Sequence, residues 1–248
     1  MARAATRART DRSPKARGES HWERVYRSRG EEELSWHQDA PTRSLALIRQ
    51  VGSPGSRIID VGGGSSELAG RLVQAGFGRV TVLDVSPTAL GRARSRAGRY
   101  APAIRWIVHD LTAAGPLGRF DVWHDRATFH FLTGAADRAA YVERARRAIP
   151  LGGHLVVATF APDGPARCSG LDVVRYDGPA LAAVFSPGFA LRREVRESHR
   201  TPWGTRQSFV YAVFERVASS PSRAARTGMR RPAGIAARKI GGARRRQT

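Results

Sequence analysis

The chain has 248 residues and a mass of 27.0 kDa, room for one sizeable domain with appendages. Hydrophobic residues make up 41% and the formal net charge is +21, from 42 Lys and Arg against 21 Asp and Glu; only Lys15 and Lys239 among the basic residues are lysines. One cysteine, Cys168, excludes an internal disulfide or a cysteine-based zinc site, no apolar run approaches the ~18 residues of a membrane span, and the Arg-rich start has no apolar core of a secretory signal, so a reduced, cytoplasmic protein without a membrane partner is expected.

Residues 1–19 carry six basic and two acidic side chains and no large aliphatic one, and read as a disordered basic tail. Residues 20–50 hold Trp22, Tyr26 and Trp36 and read as N-terminal helices and a lid, with a helix over 40–51. A strand at Arg57–Val61 runs into glycines, and a helix follows over 65–75. Arg79–Val85 is β-branched and reads as the second strand, with a helix over 87–98. Ile104–Val108 and Phe120–Trp123 are the third and fourth strands. The stretch 135–149 spaces Tyr141, Val142, Ala145, Ala148 and Ile149 along one helical face. Its Pro150-Leu151-Gly152 exit leads to a fifth strand, Gly153–Phe160. Strands alternating with helices predict a parallel sheet covered on both faces. Phe189–Ser198 and Gln207–Val217, joined through Pro202-Trp203-Gly204, predict an antiparallel finish. Residues 219–248 carry nine basic and no acidic side chains, a second tail that leaves 20–218 as the domain.

The most informative segment is Asp60-Val61-Gly62-Gly63-Gly64-Ser65-Ser66-Glu67. A strand ends, glycines turn the backbone, and a helix opens, the arrangement that holds ligands at the carboxyl ends of an open α/β sheet. A dinucleotide fingerprint would need its third glycine where Glu67 stands, and a pyrophosphate there would face a carboxylate. Asp60 instead suits a ligand with a cationic amine. Asp84, twenty residues beyond Gly64, closes strand two, where a carboxylate accepts bonds from both hydroxyls of a ribose; Val85 follows it. Asp110 closes strand three, placed to accept from an exocyclic adenine amine, with Leu111 against the ring.

Together Asp60–Ser66, Asp84, Asp110, Asp121–Phe131 and Pro150–Gly153 resemble the motifs of class I S-adenosylmethionine-dependent methyltransferases. More narrowly, His21-Trp22-Glu23, Ser35-Trp36-His37-Gln38, His124-Asp125-Arg126 with His130-Phe131-Leu132, and His199-Arg200-Thr201-Pro202 are similar to small stand-alone bacterial members. The N-terminal pattern is similar to seven-strand protein-lysine methyltransferases. The resemblance covers 20–218. It implies a Rossmann-like seven-stranded sheet, mostly parallel with an antiparallel C-terminal strand, and S-adenosyl-L-methionine as cofactor. The implied cofactor-binding residues are Asp60, Gly62, Gly63, Gly64, Asp84, Val85, Asp110, Leu111, Asp125 and Trp36. It also implies that the end of strand four lies beside the acceptor, where Asp125 and His130 are the candidate catalytic groups for an acceptor that must lose a proton.

The amine-methylating Asn/Asp-Pro-Pro signature is replaced by Asp125-Arg126-Ala127-Thr128, and no Pro-Cys pair serves cytosine carbon methylation. No His-x-x-x-His pair offers a metal site. The expected reaction is methyl transfer to a small-molecule or protein side-chain acceptor. The alternative is an RNA methyltransferase or nucleic-acid binder drawing phosphates through its Arg-rich tails, disfavoured because the tails lack interleaved aromatics.

Overall fold

The computed structural model describes residues 14–218 except 114 and 187, with side chains from His21 onward. The tail 219–248 and residues 1–13 lie outside the described residues. Residues 14–19, assigned to the tail by composition, instead belong to the first helix, α1 (Pro14–Ser28).

Seven strands form one sheet: β1 (Arg57–Val61), β2 (Arg79–Asp84), β3 (Ile104–Val108), β4 (Val122–Arg126), β5 (His154–Phe160), β8 (Phe189–Arg200) and β9 (Arg206–Arg216), in the order 3-2-1-4-5-9-8. β6 (Arg167–Cys168) and β7 (Leu171–Asp172) make a small separate hairpin. The pairs from β3 to β5 are parallel, and β9 runs antiparallel to both β5 and β8. The sheet is therefore mostly parallel with an antiparallel finish, as the strand–helix alternation predicts. The helices are α2 (Thr42–Val51), α3 (Leu68–Gln74), α4 (Pro87–Ala97), α5 (Ala135–Ala148) and α6 (Gly178–Phe185).

Each central strand is apolar on both faces, because helices cover both. Ile58, Val80, Val82, Val122 and Val156 join Leu47, Ile48, Leu68 and Leu72 in one buried cluster. Their neighbours one residue on, Ile59, Leu83, Trp123 and Val157, join Tyr141, Ala145, Leu181 and Phe185 in the other. The alternation is the two-residue period of a strand applied to a sheet with two cores.

β4 begins and ends later than its apolar run suggests. Asp121, just before it, accepts from the Arg57 backbone N–H at 2.9 Å and from its guanidinium at 2.7 and 3.1 Å. The strand then continues through three polar residues, His124, Asp125 and Arg126, each of which finds polar partners in the interior. α6 has no counterpart among the elements expected from the sequence. Asp177 caps it, accepting from the Ala180 N–H at 2.8 Å, and Pro179 sits in its first turn, where a missing N–H costs nothing.

Candidate active site

The sheet order reverses between β1 and β4, and the carboxyl ends of β3, β2, β1 and β4 open on one cavity of about 380 Å³. Gly62 and Gly64 have φ of +62° and +55°, a region open to glycine at little cost. A Cβ at Gly62 would strike the Thr128 side chain, and one at Gly64 the Tyr26 hydroxyl. At Gly63 a Cβ would lie 2.6 Å from Val82 Cγ1 and 2.8 Å from Asp60 Oδ2. The three glycines are thus required by close packing of the loop against β4, α1 and β2.

Asp84 lies on the cavity wall at the end of β2 and is 7% exposed. Its Oδ2 accepts from the Gly64 N–H and its Oδ1 from the Ser86 N–H, both at 2.9 Å. Burial raises its pKa to about 6, against the pull of the Ser86, Gly64 and Val85 backbone donors. A buried carboxylate on a cavity wall, with backbone N–H groups as its donors and acceptor capacity left on its oxygens, fits a ligand that brings hydroxyls to it. Val85, Asp110 and Leu111 line the same wall. Asp110 Oδ1 accepts from the Thr112 N–H and Oγ1, both at 2.7 Å, which fixes the loop after β3.

Asp60 and Gly63 line a smaller adjoining cavity of about 50 Å³, with Trp36, His37 and Gln38. Asp60 is buried, and its Oδ1 lies 2.7 Å from His124 Nδ1, while His124 Nε2 lies 2.9 Å from Ser44 Oγ. Gly64 lines neither cavity; its N–H holds Asp84.

Asp125 stands at the end of β4 and His130 in the turn after it, and neither lines the larger or the smaller cavity. Asp125 is fully buried, lines neither cavity, and is bonded within its own loop. Its Oδ1 accepts from the Thr128 and Phe129 N–H groups at 2.9 and 3.2 Å, and its Oδ2 from the Tyr141 hydroxyl at 2.7 Å. Burial raises its pKa to about 6 despite these donors. His130 is fully buried between Phe131 and Phe160, and burial lowers its pKa to about 3, so it is neutral. Both are buried in or beside the turn after β4, whose Thr128 and Phe131 line the cavity.

Trp36 does line both cavities. Its indole N–H donates to the Tyr26 hydroxyl at 3.3 Å, and its ring meets Trp22 edge-on at 5.7 Å. Trp22 in turn packs on Phe131 at 4.8 Å. Trp22 and Tyr26, whose four-residue spacing reads as simple packing, are therefore cavity walls as well. Glu23, between them, accepts from Ser86 Oγ at 2.7 Å and Thr88 Oγ1 at 2.6 Å, tying α1 to the start of α4. Glu31 clamps the next segment, accepting from Ser65 Oγ at 3.0 Å and Arg96 at 2.6 Å. Nothing in the sequence spacing pointed to Arg126, Thr128, Cys168 or Leu171 as wall residues. The turn residues Ser169-Gly170 between Cys168 and Leu171 were the available signal for the small hairpin.

A ligand cradle at the reversal of an open α/β sheet is where nucleotide-bearing cofactors bind in this architecture. Residues 58–153 match the methyltransferase domain family. Over 147 residues the chain is 28% identical to the eEF1A lysine and N-terminal methyltransferase of Danio rerio, covering 58% of this chain and 21% of that protein. Over 114 residues it is 35% identical to the ubiquinone/menaquinone biosynthesis C-methyltransferase UbiE of Paracoccus denitrificans, covering 43% of each. The chain thus spans less than half the length of these curated relatives. The N-methyltransferase NodS of Bradyrhizobium japonicum, solved with S-adenosyl-L-homocysteine, shares the fold with a TM-score of 0.61 at 19% identity, over 79% of this chain and 98% of that one. A structure from echinomycin biosynthesis, where a disulfide bond becomes a thioacetal, gives 0.66 at 22% over 80% and 92%. Over residues 58–153 the chain therefore carries a methyltransferase domain, in a fold shared with methyltransferases of known structure. Its methyltransferase domain match runs from β1 to the start of β5.

Proposed function

We propose that this chain binds S-adenosyl-L-methionine and transfers its methyl group to a small-molecule or protein side-chain acceptor. The observation that carries the reading is Asp84, a buried cavity-wall carboxylate held by the glycine loop, with Asp110 on the next strand. In this reading Asp84 accepts from the ribose hydroxyls, Asp110 and Leu111 receive the adenine, and Gly62, Val85 and Trp36 shape the space between. Gly63, Gly64 and Asp60 support the loop, and Asp60 faces the amino-acid end through the smaller cavity. When bound, the cofactor supplies an electrophilic methyl on a sulfonium, beside the aromatic wall of Trp22, Trp36 and Phe131. Asp125 and His130 act as positioning residues that hold the turn carrying Thr128.

Among the described residues no helix is long and apolar enough to cross a membrane. We place the reaction in the cytoplasm, in keeping with the single reduced cysteine. Residues 20–218 form the catalytic domain in this reading, now with α1 from Pro14. Nucleic acid is not favoured as a partner, because the Arg-rich stretches 1–19 and 219–248 carry no interleaved aromatics. The test is a calorimetric titration with S-adenosyl-L-methionine, S-adenosyl-L-homocysteine, NAD and a mixed-sequence RNA. Binding of the first two, abolished by Asp84→Ala, supports the proposal; preference for NAD or RNA overturns it.

A further inference from the structure

Charge is distributed unevenly along the cavity. The carboxylates on its wall are Asp84 at the end of β2, Asp110 after β3, and Asp137 in the first turn of α5, whose carboxylate lies against Gly134 at the helix start. On the β4 side the wall is aromatic and apolar: Trp22, Trp36, Phe131 and Leu171. The other titratable groups there are uncharged. Burial and the nearby Arg24 lower the pKa of His21, burial raises that of the Cys168 thiol, and burial and Asp84 raise that of Tyr26. Arg126 is the charged side chain of this wall.

Arg126 is held rigidly. Its Nε donates to the Tyr211 hydroxyl and its Nη1 to the Trp36 carbonyl, both at 3.0 Å, and its guanidinium lies 4.6 Å over the Phe209 ring. Its Nη2 is buried and has no hydrogen-bond partner among the described residues. A buried guanidinium donor left unpaired is costly, and an anionic ligand offsets that cost. We infer that the β4 side of the cavity is an acceptor site for a small, flat apolar molecule bearing an anionic group, with Arg126 as its counter-ion. An acceptor that arrives as an anion has no proton to lose and needs no base, whereas a lysine ammonium would meet a fixed positive charge.

This inference rests on the proposed function for the identity of the opposite end of the cavity, and its test separates the two. The full chain is titrated calorimetrically, with and without saturating S-adenosyl-L-homocysteine, with three isosteric probes: 2-naphthoate, 2-naphthylmethanol and 2-naphthylmethylamine. Acetate serves as the anion without an apolar body. A chain of net charge +21 attracts anions generally, so the Arg126→Gln variant is decisive: it removes one charge from that total. The site predicts that naphthoate binds at least about tenfold tighter than the alcohol, the amine and acetate, and that Arg126→Gln abolishes this margin. Equal or tighter binding of the amine, or a naphthoate margin that survives in Arg126→Gln, overturns the inference. If that variant fails to fold, Arg126→Lys, which keeps the charge, and Arg126→Met, which removes it, are read in the same way: a naphthoate margin kept in the first and lost in the second supports the site, and one kept in both overturns it. Failure of S-adenosyl-L-homocysteine to bind counts against the proposed function alone, since the naphthoate margin is read on the free protein as well.

Discussion

Asp84 and Asp125 are both buried carboxylates with pKa raised to about 6, yet their surroundings assign them opposite work. Asp84 faces a cavity and Asp125 faces a hydroxyl and two backbone N–H groups. In the free protein each has a folded-state pKa above its ordinary value. Each therefore contributes stability that is present in acid and lost as pH rises through about 6. A ligand that donates hydroxyls to Asp84 favours the charged form, so cofactor affinity should rise with pH through that same window; titrations at about pH 5 and about pH 8 check the sign. Replacing Asp84 with Ala removes two charge-assisted bonds of ~1.5–3 kcal/mol each and should weaken cofactor binding about tenfold or more. Replacing Asp125 with Ala strands the Thr128 and Phe129 N–H groups and the Tyr141 hydroxyl. The expected loss is about 2 kcal/mol or more of folding stability, measured by urea unfolding. An Asp125→Ala protein as stable as the parent would show that the loop is held without it.

At the scale of elements, the glycine turn and the docked N-terminal segment make the site. Gly62→Ala forces a side chain into left-handed backbone, which costs ~1–2 kcal/mol, and drives a methyl into Thr128; this variant should be destabilised and lose cofactor binding together. Glu23 bridges α1 to the first turn of α4 through Ser86 and Thr88. Burial pushes its pKa up, but the Thr88 and Ser86 donors outweigh this and bring it down to about 2. Glu23→Ala should cost about 1 kcal/mol and loosen the aromatic wall carried by α1, seen as faster hydrogen exchange in 21–28. The parallel strands and their helices were legible in sequence because apolar periodicity and Gly/Pro breaks are local signals. So were Asp84, Asp110 and the glycines, which sit at strand ends defined by those signals. That Asp125 and His130 bond inward was not legible, because their partners, the Tyr141 hydroxyl and the Phe160 N–H, come from α5 and β5. Arg126 was passed over for the same reason: its partners, Trp36 and Tyr211, are 90 and 85 residues away. Pattern along a chain does not report such pairings.

For the whole molecule, residues 1–13 and 219–248 carry +12 of the net +21, while the cavity and its glycine loop are built within 14–218. A chain trimmed to residues 14–218 should therefore melt within a few degrees of the full chain and bind the cofactor equally well. Aggregation or lost binding would mean that a terminal segment contributes to the domain. The central claim is that the cavity holds S-adenosyl-L-methionine through the end of β2. The most direct measurement is calorimetric titration of the full chain and of its Asp84→Ala variant with S-adenosyl-L-homocysteine and with NAD. The account predicts one S-adenosyl-L-homocysteine per chain, lost or weakened about tenfold or more in the folded variant, and no NAD bound. Undiminished binding in the variant, or binding of NAD in preference, would contradict it.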